Sequence, residues 1–241
     1  MNIIPDALRR IAGREHARRT MSHGDLISHL CREHRAGFAE PPVFVETGSG
    51  VSTVALAQAA GEAGGIVYSC DCNDEKVSDL KQAAGPDVGA IRFRIGDSLD
   101  SLREIVREHG RLDFVFLDSA ASAMHTFREF TILEQCLERG AVLLVDNAAL
   151  PNDGPLLSPV RKGRILVHYL LASAYWEVQG HPTAGDSMVS AVMRAEPDHA
   201  DPAYEHPDFV DHWRGLFERE LGAAGSRCST RHEPKRLGWS C

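Results

Sequence analysis

The chain has 241 residues, of which 43% are hydrophobic and 25% charged, and a formal net charge of −8. That length and apolar share suffice for one α/β domain with short additions, whose core needs no disulfide or metal staples. The acidic balance argues against a general grip on a nucleic-acid backbone, and no stretch is apolar enough for a signal-peptide core or a membrane span.

The six cysteines, at positions 31, 70, 72, 136, 228 and 241, fit neither a disulfide framework nor paired zinc knuckles. They read as free thiols in a reducing, cytoplasmic setting. Residues 1–40 read as a helical cap, with Leu26, Ile27 and Leu30 as its apolar stripe. Seven Arg precede position 36, interspersed with acids; such a face is either solvated or a cover over a ligand cleft. Pro41-Pro42 then ends the helix and begins something extended.

From residue 41 short apolar runs alternate with helical stretches. VFVE, IVYSCD, IRFRIGD, LDFVFLD and AVLLVD predict buried strands. Helices are predicted over Ser52–Ala60, Glu75–Ala83, Ser98–His109 and Met124–Glu138. This order gives βαβ units and a parallel sheet. After a loop rich in Pro and Gly, a helix is predicted over Ile165–Ala174, followed by the strands YWEVQ and SMVSAVMR. So short a connection requires an antiparallel hairpin. The expected fold is a doubly wound, mostly parallel seven-stranded sheet ending in that hairpin. Residues 41–195 form the core, and residues 196–241 an amphipathic helix with a loose tail.

Each of the five central strands ends in a carboxylate: Glu46, Asp71, Asp97, Asp118 and Asp146. In an open parallel sheet these ends share the edge where ligands bind. Acids gathered there repel one another unless a cationic ligand, a metal ion or both join them. The first strand–helix turn, VFVETGSGVST, brings Gly48 and Gly50 to the start of a helix, a place that favours anions. A dinucleotide fingerprint would have a third glycine where Thr53 stands, and Glu46 would oppose a pyrophosphate. Glu46 suits a ligand that carries an ammonium beside a carboxylate, and S-adenosylmethionine has both together with a sulfonium. Asp71 is placed to accept the ribose hydroxyls.

ETGSGVSTVALA, Asp71, IGDSLDSL, FVFLDS and LLVDN, in this order, resemble the motifs of class I methyltransferases. They are most similar to the O-methyltransferase branch that includes the catechol and caffeoyl-coenzyme A enzymes. The resemblance implies that Glu46, Gly48, Gly50 and Ser52 hold the methionyl end of S-adenosylmethionine, Asp71 the ribose, and Asp97 and Ser98 the adenine. Ser52 and Ser98 equally suit helix caps. In metal-dependent members an Asp after the fourth strand and an Asp-Asn pair after the fifth bind Mg²⁺, which here implies Asp118, Asp146 and Asn147. A bound metal would acidify an acceptor hydroxyl. Asp118 also suits a contact to the methyl donor.

Catechol-type enzymes carry a catalytic Lys one turn after the first metal Asp, whereas residues 119–130 here contain none. His125, in His125-Thr126-Phe127, is the candidate general base, or else a helix-start histidine bonded to backbone. The function these residues imply is methyl transfer to a hydroxyl of a small molecule, and a homodimer is the default assembly. The alternatives are a nicotinamide-dependent oxidoreductase on a similar sheet, and a cofactor-binding protein without catalysis.

Overall fold

The computed structural model describes residues 14–83, 85–150, 162–173, 175–183 and 186–194. The expected C-terminal helix, with Phe209 and Trp213, lies outside these residues, as does most of the Pro- and Gly-rich loop.

A long helix α1 (Arg14–Glu33) precedes the alternating part of the chain, which runs β1 (Val43–Thr47), α2 (Val51–Gly61), β2 (Ile66–Asp71), α3 (Asp74–Ala83), β3 (Ile91–Ile95), α4 (Ser98–Glu108), β4 (Leu112–Leu117), α5 (Ala123–Leu133) and β5 (Leu137–Asp146). Helix α6 (Gly163–Ala172) then leads to the hairpin of β6 (Trp176–Thr183) and β7 (Asp186–Met193). The strands form one seven-stranded sheet in the order β3-β2-β1-β4-β5-β7-β6. β1 to β5 run parallel, while β7 is antiparallel to both β5 and β6. This is the doubly wound, mostly parallel sheet with a C-terminal hairpin that the alternating pattern implies.

The period-two pattern of the strands divides the core into two layers. Val45, Val115, Leu117, Leu143 and Val145 face one way and pack with Leu102, Ile105, Phe127, Phe130 and Leu166 of α4, α5 and α6. Phe44, Phe114, Phe116, Val142 and Leu144 face the other way, onto Ile27 and Leu30 of α1, Val54 and Leu56 of α2 and Leu80 of α3. The stripe expected on α1 is therefore core, with Ile27 and Leu30 buried. α1 ends at Glu33, before Pro41-Pro42 could stop it. No described helix is long and apolar enough to cross a membrane.

One predicted boundary is wrong. The helix expected to reach Glu138 ends at Leu133, and a 3-10 turn over Glu134–Cys136 delivers the chain to β5 at Leu137. Leu137 already pairs with Leu112, and the register shifts before Phe114 pairs with Val142. The polar residues Glu138 and Arg139 hide this first part of the strand, because it has no apolar alternation to read.

Doubly wound sheets bind ligands where the strand order reverses, outside the carboxyl ends of the strands. Here the reversal lies between β1 and β4. Glu46 and Thr47 end β1 at that point, and Asp118 follows β4.

Candidate active site

The turn between β1 and α2 is built on Gly48. Its φ is +87°, and a Cβ there would stand 2.4 Å from the carbonyl oxygen of Asp118. Only glycine combines that conformation with so close an approach. Gly48 N–H donates to the Cys70 carbonyl at 2.8 Å, and Asp118 N–H to that of Thr47 at 2.9 Å. The turn thus binds the ends of β1, β2 and β4 together. Gly50 caps α2, and its N–H donates to Thr53 Oγ1 at 2.9 Å. Thr53, rather than Ser52, is the side chain that serves the helix start.

Glu46 is fully buried. Its carboxylate accepts Ser52 Oγ at 2.8 Å, Ser69 Oγ at 2.7 Å and Thr53 Oγ1. Hydroxyls can satisfy a carboxylate but cannot neutralise it. Burial therefore pushes Glu46 up to about 7, against the hydrogen bonds of Thr53, Ser69 and Ser52, which pull it down. Glu46 and Ser52 form a polar base under the turn and shape it from below.

Because the folded value lies above the ordinary 4.5, folding favours protonated Glu46. Its contribution to stability is greatest below pH 4.5, falls as pH rises to 7, and is constant above. The loss across that window is about 3 kcal/mol. Urea unfolding of Glu46→Gln should lack this decline, so the variant gains on the wild type between pH 5 and pH 8. Parallel pH profiles for the two proteins would contradict the assignment.

Asp71, at the end of β2, has an almost buried side chain. Oδ2 accepts Ser49 N–H at 2.8 Å and pairs with Lys76 Nζ at 2.9 Å, and Oδ1 accepts Asn73 N–H at 2.9 Å. The acid and the glycine turn are therefore tied through Ser49. Asp97 is exposed and caps α4 by accepting Leu99 N–H at 2.8 Å. Asp97, not Ser98, takes the capping role.

Ser98 belongs instead to a buried network around Glu129. Its hydroxyl donates to Glu129 Oε1 at 2.6 Å and lies 2.9 Å from His125 Nε2. Ser119 Oγ donates to the same carboxylate at 2.7 Å, and Thr47 Oγ1 reaches Oε2 at 3.2 Å. His125 Nε2 is 3.2 Å from Glu129 Oε1, and that hydrogen bond raises the imidazole above its ordinary range despite partial burial. The ring thus faces Ser98 and Glu129, while the His125 backbone N–H is capped by Ser122 Oγ at 3.3 Å.

Asp118 and Asp146 are joined by a residue that sequence reasoning missed. Lys162, only 5% exposed, pairs with Asp118 and lies 3.3 Å from Asp146 Oδ2. It precedes α6, and Gly163 lets that helix start against Ala148, where a Cβ would meet the Ala148 methyl at 2.4 Å. Partial burial and the Asp146 carboxylate push Asp118 up, against the pull of Lys162. Burial opposes ionisation of Asp146 as well, but hydrogen bonding from Asp118 and the Lys162 charge outweigh it and hold Asp146 low. Helix α1 adds His23, a buried side chain whose Nε2 is 3.7 Å from Asp146 Oδ1.

The five strand-end acids therefore do not share one external cation. Glu46 is satisfied by hydroxyls, Asp71 by Lys76 and backbone, and Asp97 by its helix and solvent. Asp118 and Asp146 both face the chain's own ammonium, and Asp146 Oδ1 is buried without accepting a hydrogen bond. A divalent cation needs several oxygen ligands free to converge. Asp118 and Asp146 instead face Lys162, and Asn147, at φ +51°, donates Nδ2 to Asp146 Oδ2 at 2.5 Å. No group of three His, Cys, Asp or Glu among the described residues is arranged to hold a metal. As placed, Asp118, Asp146 and Asn147 do not fit Mg²⁺.

A family model described as a methyltransferase domain matches residues 45–148, from β1 to just beyond β5. Solved structures with this architecture include the O-methyltransferase TomG of Streptomyces achromogenes in complex with SAM. It is 22% identical, with a TM-score of 0.62, and the match covers 79% of this chain and 90% of that one. The fold is that of the class I S-adenosylmethionine-dependent methyltransferases.

Two other solved methyltransferases share this fold. The O-methyltransferase of Bacillus cereus, in complex with SAH, is 22% identical with a TM-score of 0.57, covering 71% of this chain and 80% of that one. The SAH-bound Podospora anserina methyltransferase is 18% identical with a TM-score of 0.55, covering 79% and 89%. No curated protein is a significant match. The glycine turn, Asp71 and Ser98 lie at the carboxyl ends of β1, β2 and β3.

Proposed function

We propose that the protein transfers a methyl group from S-adenosylmethionine to a hydroxyl oxygen of a small molecule. The observation that carries this reading is the Gly48 turn, closed onto Asp118 and hydrogen-bonded through Ser49 to Asp71. It brings the glycine backbone, Asp71 and the end of β4 to one edge. Thr53 stands where a dinucleotide turn would have its third glycine, and its hydroxyl is bonded to Glu46 and Gly50, which weighs against the nicotinamide alternative.

In this reading the methionyl end packs against the turn at Gly48 and Gly50, which Glu46 and Ser52 support. Asp71 accepts the ribose hydroxyls, Asp97 and Ser98 flank the adenine, and Asp118 lies at the methyl-donor end. The acceptor side is formed by Asp146, Asn147, Lys162 and His23. An acceptor oxygen held in line forms the new C–O bond as the C–S bond breaks onto sulfur. The products are a methyl ether, S-adenosylhomocysteine and a proton. Rate acceleration comes mainly from alignment and charge stabilisation.

His125 acts through Ser98 and Glu129 on the cofactor side. His125→Ala is expected to cost less than about tenfold in kcat, below the range for loss of a general base, and to keep the shape of the pH–rate profile. A thousandfold loss together with loss of the rising limb would return His125 to the role of base.

The reading is tested with labelled S-adenosylmethionine against a panel of hydroxyl acceptors. Transfer of label to an oxygen is the expected result. Binding of S-adenosylhomocysteine without transfer to any acceptor would favour the non-catalytic alternative.

A further inference from the structure

We infer that the Lys162 ammonium occupies the position a divalent cation would take between Asp118 and Asp146, so that the acceptor side works with a built-in cation and without a metal. The observation is the pairing itself. Two carboxylates from the ends of neighbouring strands, β4 and β5, converge on one ammonium that is 5% exposed.

The arrangement is built by the chain and not by chance proximity of surface groups. Asp146 is 3% exposed, and so can be satisfied only by protein groups or a tightly held ligand. α6 starts hard against Ala148, one residue beyond Asn147, because residue 163 is glycine. That contact fixes where the preceding Lys162 enters. A larger residue at 163 would push the start of α6 away from β5 and withdraw the ammonium.

Chemistry separates this arrangement from a metal centre. A divalent ion carries two charges and binds several oxygens at once, so it can clamp a vicinal diol. An ammonium carries one charge and three N–H donors. Two of these are directed to Asp118 and Asp146, which leaves one to donate to a single acceptor oxygen. The inference rests on the methyltransferase reading only for its link to an acceptor; the position of the cation stands on the geometry alone. The acceptor class it favours is a lone hydroxyl instead of a chelating diol.

The experiment follows Mn²⁺ by electron paramagnetic resonance as the full chain is titrated into it. Thermal unfolding is measured in chelator and in Mn²⁺, and S-adenosylhomocysteine binding is measured on the same samples. Wild-type protein should leave Mn²⁺ free and show one Tm in both conditions. Lys162→Ala uncovers two carboxylates. It should lose on the order of 10 °C in chelator, regain much of that loss in Mn²⁺, and bind the ion at least about tenfold more tightly than wild type. Lys162→Gln, which keeps most of the side-chain volume, serves if the alanine variant does not fold. One equivalent of Mn²⁺ bound by wild type would overturn the inference, and so would a folded Lys162 variant that fails to gain Mn²⁺ binding. Either result beside normal S-adenosylhomocysteine binding leaves the cofactor reading intact. Loss of cofactor binding in wild type would sink that reading and not the placement of Lys162.

Discussion

Gly48→Ala is expected to destabilise the protein by about 2–5 kcal/mol and to abolish measurable S-adenosylhomocysteine binding. Two costs combine. A side chain at positive φ costs about 1–2 kcal/mol, and forcing a methyl into occupied space costs about 1–3 kcal/mol more. The space is occupied by backbone, since the new Cβ would stand 2.4 Å from the Asp118 carbonyl oxygen and 2.9 Å from its carbon. Neither can swing aside as a side chain tip would. Relief requires parting the turn from the end of β4, which moves Ser49 and its hydrogen bond to Asp71. Urea unfolding and calorimetry on the same variant separate the two effects. A stable Gly48→Ala protein with wild-type affinity would show that the turn is not the cofactor seat.

Asp71→Ala should weaken S-adenosylhomocysteine binding by about 1.5–3 kcal/mol, roughly 10- to 150-fold, the range for hydrogen bonds to a charged group. The variant also releases Ser49 N–H and Asn73 N–H, so part of the loss would come from a slackened turn. Lys76→Ala is the control, because it removes the ion pair on Asp71 and leaves the carboxylate in place. Lys76 is half exposed, and its removal should change affinity by less than about threefold. Equal losses from both variants would mean that Asp71 serves Lys76 and the loop, with no part in the ribose contact.

What the sequence made legible follows from range. The strands, the order of the sheet and the strand-end acids each show in a few consecutive residues, because alternation and apolar runs are local signals. The glycine turn was legible for the same reason, since the demand on Gly48 comes from β4 but its pattern lies in VETGSG. The partners of the acids were not legible. Glu46 meets Ser69 from the next strand, and Ser98 meets Glu129 from a helix 31 residues on. Lys162 comes from a loop 44 residues after Asp118, in a stretch with no periodicity to place it. A lysine one turn after Asp118 would belong to α5, whereas the one that reaches Asp118 precedes α6. The five acids stand at one edge, but the groups they meet come from across the fold, with Asp118 and Asp146 sharing Lys162.

The proposed seat for S-adenosylmethionine is the edge of the sheet between β1 and β4. Isothermal titration of the full chain with S-adenosylhomocysteine, set beside the same titration with NAD, tests it most directly. One equivalent of S-adenosylhomocysteine bound, with affinity lost in Asp71→Ala and no heat from NAD, is the expected result. Binding of NAD without binding of S-adenosylhomocysteine would contradict the account and hand the same edge to a dinucleotide.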